Sequence, residues 1–200
     1  MAAVDPPRLG APPAERADAA RNRARVLAAA AELFRSREDP RAVTMDDVAR
    51  AAGVGRATLY RRYPDVASIA EALLGEHERE LQEQLMRGAP PLGPGAPPAE
   101  RLTAFYAAMV EHLDRHLPLL LAIDAGAARF EVGSYGFWRA HVRSLLVDAA
   151  VPGPDALVDM LLAPLAAEVF CHQRANGLTP GQIADALRHL AGRVLSGPVP

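Results

Sequence analysis

Twenty residues, Thr44 to Tyr63, restrict the fold of this 200-residue chain more than any others. The Thr44 hydroxyl stands where it can accept a hydrogen bond from the amide of Asp47, and the Asp47 carboxylate favours the positive end of the same helix. That helix, Met45 to Ala51, meets Gly53 almost at once, the residue best suited to a left-handed turn. A second short helix, roughly Arg56 to Tyr63, follows and is ended by Pro64. Two short helices joined by a tight glycine-containing turn predict a helix-turn-helix, whose second helix enters the DNA major groove. Val48, Ala49, Ala52, Val54 and Leu59 are the small or apolar positions that lock the pair together. Arg56, Ala57, Thr58, Tyr60, Arg61 and Arg62 are left outside, a surface suited to phosphate and base contacts. The bland alternative is an αα-hairpin with a basic, solvated face.

The remainder reads as helix. Forty-one alanines against three isoleucines favour an all-α fold. Val26, Ala30, Leu33 and Phe34 mark one face of a first helix over roughly 15–36. Further helices are expected at 65–87, 98–116, 118–128, 135–150, 155–175 and 180–195, about nine in all. Prolines punctuate them: the first thirteen residues hold Pro6, Pro7, Pro12 and Pro13, and 88–98 is a Pro/Gly loop. The expected division is a disordered tail at 1–14, a DNA-binding domain at 15–64 and a helical ligand-binding and dimerisation domain at 65–200.

Charge follows the same division. All 22 basic residues are arginine; residues 1–62 hold 12 of them against 8 acids, whereas residues 63–200 hold 10 against 16. A basic head on an acidic body implies an anionic partner for the head. The single cysteine, Cys171, allows no intramolecular disulfide, no apolar run is long enough for a membrane span, and the N-terminus lacks a secretory signal's apolar core. A cytoplasmic protein without cofactor is the expectation.

The run V-T-M-D-D-V-A-R-A-A-G-V-G-R-A-T-L-Y-R-R-Y-P-D resembles the DNA-binding domain of the TetR family of bacterial repressors. The resemblance covers about fifty residues, and beyond them only the number of helices is similar. It implies that Thr44, Thr58, Tyr60 and Arg62 hold phosphates and that Arg56, Ala57 and Arg61 face the bases of double-stranded operator DNA. Three positions depart from the family pattern: Gly55 replaces a capping serine, Ala57 a glycine, and Val66 a lysine or arginine that would reach a phosphate.

The resemblance further implies a ligand pocket in the C-terminal half and a homodimer through the last two helices. Ile183, Leu187, Leu190, Val194 and Leu195 form a stripe suited either to a partner or to the chain's own core. Phe105, Tyr106, Met109, Tyr135, Trp138 and His141 are the ligand-binding candidates, with helix 65–87 walling the pocket around Leu73, Leu74, His77 and Leu81. An apolar cavity with a few polar groups suits a small hydrophobic ligand. The expected function is a ligand-responsive transcriptional regulator with no enzymatic activity. The alternative is a metal-sensing regulator or metal-dependent helical enzyme built on His112 and His116, spaced i, i+4. No third ligand stands at a fixed spacing from them, so no metal is expected.

Overall fold

Local signals place most helix ends. The computed structural model describes residues 13–123 and 133–195, and among these residues there are nine α-helices, two 3-10 turns and no strand. Helix α1 (Pro13–Ser36) and a 3-10 turn at Pro40–Ala42 precede α2 (Met45–Ala52), α3 (Arg56–Arg62) and α4 (Val66–Arg87). The capping box at Thr44 is reciprocal: its hydroxyl accepts from the Asp47 amide at 3.2 Å, and its amide donates to the Asp47 carboxylate at 3.2 Å. Gly53 ends α2 at φ 62°, where a side chain would also crowd the Arg25 guanidinium. Asp65 caps α4 by accepting from the Ser68 amide at 2.8 Å. Residues 1–12 of the expected tail lie outside the described residues, and Pro13 and Ala14 already belong to α1.

Proline is where local reading and structure part. The helices expected at 98–116 and 118–128 are one, α5 (Pro98–Ile123), with Pro118 inside it; residues 124–128 lie outside the described residues. Pro118 removes one backbone donor. Its neighbours offset that loss by packing, Leu117 and Leu120 on the C-terminal core and Leu119 on the N-terminal one. After α6 (Gly133–Asp148), the helix expected at 155–175 is broken. It forms α7 (Pro154–Leu162), a 3-10 turn at Ala163–Leu165 containing Pro164, and α8 (Ala167–Ala175), with Ala166 extended at ψ 137°. The last helix, α9 (Pro180–Leu195), is continuous.

Two hydrophobic clusters organise these elements. The N-terminal cluster joins Val26, Ala30 and Phe34 of α1 to Val48, Ala49 and Leu59 of the helix pair and to Ile69 and Ala70 of α4. Leu119, Ala122 and Ile123, from the end of α5, pack on it as well. The C-terminal cluster gathers Phe105, Tyr106, Leu145, Phe170 and Leu187 around α5, along which α4 and α9 lie. The stripe on α9 splits accordingly: Ile183 and Leu187 are buried within the chain's own core, and Leu190 is exposed. Among the described residues no helix is long and apolar enough to cross a membrane.

Candidate nucleic-acid interface and ligand cavity

The second helix of the pair, α3, is anchored by Leu59, which is 2% exposed, and by Tyr63 just beyond its end. Arg56, Ala57, Thr58, Tyr60, Arg61 and Arg62 all lie on its exposed side, with Tyr60 50% exposed. An exposed tyrosine between arginines presents a donor and a flat ring without burying either. Arg56 does not stand alone: its guanidinium forms an ion pair and hydrogen bond with Asp46 at the start of α2. Thr44 is exposed at the N-terminus of α2, where its amide and hydroxyl both bond to Asp47. These bonds hold the Asp47 carboxyl below the usual carboxylate range, with Arg37 and Arg50 adding attraction.

The turn between the helices is fixed from behind. Arg25 of α1 donates to the carbonyls of Ala52 at 2.6 Å and Gly53 at 3.1 Å, satisfying acceptors that the end of α2 leaves open. Beside it, Arg23, Thr58, Arg61 and Arg62 border a recess of about 380 Å³ between α1 and α3. Arg21 is paired with Asp18. Of the three arginines on this part of α1, Arg23 is the one that extends the basic surface of α3.

A second cavity, of about 260 Å³, opens between α4, α5, α6 and the turn after α7. Met109, Tyr135 and Trp138 line it, together with Leu113, Leu120 and Ile123. Phe105, Tyr106 and His141, expected beside them, stand behind this wall in the core. Tyr106 is fully buried and donates its hydroxyl hydrogen to the Leu161 carbonyl at 3.0 Å; burial raises its phenol above the usual range. His141 packs against Phe105, and burial, with Arg101 nearby, lowers its pKa to about 4. From α4 the cavity receives Glu71 and Glu78, where Leu73, Leu74, His77 and Leu81 were expected.

A family model described as bacterial regulatory proteins, tetR family, matches residues 26–73, the span of α1 through the first turns of α4. Over these residues the chain is similar to the DNA-binding region of the TetR family. An uncharacterised HTH-type transcriptional regulator of Mycobacterium tuberculosis is 39% identical over 62 residues, covering 31% of this chain and 30% of that relative. The chain therefore matches less than a third of the curated relative's length. Likeness of fold extends much further. A TetR-like transcriptional regulator from Rhodococcus sp. RHA1 superimposes with a TM-score of 0.62 at 21% identity, over 88% of this chain and 97% of that one. NalD, the secondary repressor of the MexAB-OprM multidrug efflux pump in Pseudomonas aeruginosa, gives 0.56 at 19% identity, over 88% and 96%.

In the C-terminal half, the histidines singled out by spacing meet a third. His116 stacks on His77 of α4 with ring centroids 4.5 Å apart, and His112 tilts against His116 at 5.0 Å. Stacked rings do not aim their nitrogens at one point. Among the described residues, no group of three or more His, Cys, Asp or Glu side chains is arranged to hold a metal ion. Sequence reasoning passes over Glu78, although a signal for it exists. It sits in register with Leu74, Leu81 and Leu85, which are all buried, so an acid interrupts an apolar stripe.

Proposed function

We propose that this chain is a DNA-binding transcriptional regulator that acts as a homodimer on a palindromic operator and is released by a small ligand. In this reading residues 15–64 serve as the DNA-binding head and residues 65–200 as the ligand-binding and dimerisation body. The observation that carries it is the exposed face of α3: three arginines, a tyrosine and a threonine on a short helix locked from behind. Thr44, Thr58, Tyr60 and Arg62 take phosphates, which position the protein; Arg56, Ala57 and Arg61 meet base edges, which specify the site. Ala57 offers a methyl to a thymine methyl.

A dimer is expected because one helix-turn-helix reads only one half-site. Met160, Val169 and Leu190 are exposed apolar side chains on α7, α8 and α9, at 69%, 40% and 36%. They suit a contact between two copies better than Leu187, which is already buried.

Induction needs a ligand that favours a conformation unsuited to the operator. Two elements link cavity and head. Helix α4 contributes Glu71 and Glu78 to the cavity while Ile69 and Ala70 sit in the core of the head. Past Pro118, α5 contributes Leu120 and Ile123 to the cavity while Leu119 and Ala122 pack on the head. Selecting bound sequences from a random DNA pool tests the reading. A palindrome with half-sites about one helical turn apart is expected, and failure to enrich any sequence refutes it.

A further inference from the structure

The walls of the 260 Å³ cavity are apolar, yet the ionisable groups among its described lining residues are mostly acids, Glu71, Glu78 and Asp159, with no arginine among those described residues. Asp159 is already neutralised, accepting from the Tyr135 hydroxyl at 2.8 Å and pairing with Arg139 at 3.2 Å. Among the described residues Glu78 has only the Ser134 hydroxyl as a partner, and neither it nor Glu71 forms an ion pair with one of them. Burial, with the negative charge of Glu71, presses the Glu78 carboxyl towards its neutral form. An acid placed in the apolar stripe of α4 costs stability unless something meets it.

A second, independent feature points the same way. His112 lines the cavity, is 8% exposed and makes no hydrogen bond with a described residue. Burial and the neighbouring His116, His77 and Arg115 hold its imidazole neutral, with a pKa of about 4, so it offers one donor and one acceptor. The cavity thus presents a carboxyl group with no ion-pair partner among the described residues, a neutral imidazole and an aromatic wall at Trp138. A metal ion does not suit it, because the donors among the described residues do not converge and most of the wall is hydrocarbon. An anion would meet two carboxylates.

Resting on the regulatory reading above, we propose that the inducing ligand is an organic cation: a protonated amine on an apolar body of about ten to fifteen non-hydrogen atoms. The ammonium lies against Glu78, with His112 accepting one of its hydrogens, and the body lies against Trp138. Such a ligand supplies the charge that α4 lacks at Glu78, so its charge is sensed on the helix that reaches into the head.

Trp138 is the only tryptophan in the sequence, so its fluorescence reports occupancy of this cavity directly. The 200-residue chain is titrated at about pH 8, where the amine is protonated. The probes are 4-phenylbutylamine, the isosteric 4-phenylbutan-1-ol and 4-phenylbutanoate. The amine is expected to bind at least tenfold more tightly than the alcohol, and the carboxylate most weakly. Glu78→Gln should reduce the amine to the alcohol's affinity while leaving the alcohol unchanged, with a thermal melt confirming that the variant is folded. Glu71→Gln repeats the test at the rim with a smaller loss. An alcohol or carboxylate that binds as well as the amine, or an amine preference that survives Glu78→Gln, overturns the cation while leaving a ligand cavity in place. Absence of binding by all three probes overturns both.

Discussion

The ion pair between Arg56 and Asp46 permits a test of base reading that a single alanine substitution does not. Both side chains are exposed, and an ion pair of this kind contributes about 0.2–1 kcal/mol. A bidentate arginine–guanine contact discriminates by about 1–3 kcal/mol, roughly 5- to 150-fold. If Arg56 leaves Asp46 to read a base, the guanine contact outweighs the broken ion pair. Arg56→Ala should then reduce discrimination at one base pair per half-site by that factor. Asp46→Ala should keep the discrimination and strengthen binding to all DNA, because it frees the guanidinium and removes one negative charge per subunit from the face turned to the phosphates. Fluorescence anisotropy with the selected operator and single-base variants, for both mutants and the double mutant, separates the two effects. Unchanged discrimination in Arg56→Ala refutes base reading by this arginine. Equal loss in Asp46→Ala would mean that the acid is needed to aim it.

Three further outcomes are expected. Leu187→Glu should unfold the protein by placing a charge in the core of its own subunit, whereas Leu190→Glu should leave it folded and lower only its dimer affinity, as sedimentation and circular dichroism will show. Stability should be full above about pH 6.5 and decline as the pH falls towards 4. The sign follows from His112 and His141: both have pKa values lowered to about 4, so the unfolded chain takes up their protons first; urea titrations in which His141→Phe gives a flatter decline check this. Val66→Lys should steepen the log–log salt dependence of DNA binding by roughly two units per dimer and raise affinity for specific and random DNA alike. Arg21 and Arg25 cannot fill that position while bonded to Asp18 and to the Ala52 and Gly53 carbonyls, so an unchanged slope would point to Arg23.

What can be read from the sequence is what depends on neighbours along the chain. The Thr44–Asp47 box and the glycine stop at Gly53 each involve residues within a turn of one another, and the structure reproduces them. Pro118 misleads because its local cost is offset by packing on two cores, one of which lies in a segment some fifty residues or more away. Pro164 misleads in the other direction, since an apolar period runs on through a break. The cavity is the least legible part. Its aromatic wall follows from composition, but whether Tyr106 or Trp138 faces the space depends on how α5, α6 and α7 meet. The acids come from α4, a helix whose leucines dominate its pattern.

The end of α5 limits how this protein can be altered. Ile123 belongs at once to the wall of the cavity and to the packing of the head, and Leu119 and Ala122 fill the head from a helix that starts in the body. A fragment cut after Pro64 would lose these side chains together with Ile69 and Ala70, leaving the head's core uncovered on one side. Nor can the cavity be recarved on every wall with equal freedom. On α6 and α7, exchanging Tyr135, Trp138 or Leu162 reshapes the cavity at a cost confined to the body. At Ile123, any change in the shape of the cavity is also a change in the stability of the helix-turn-helix head, so reshaping has an open route through one wall and a guarded one through the other.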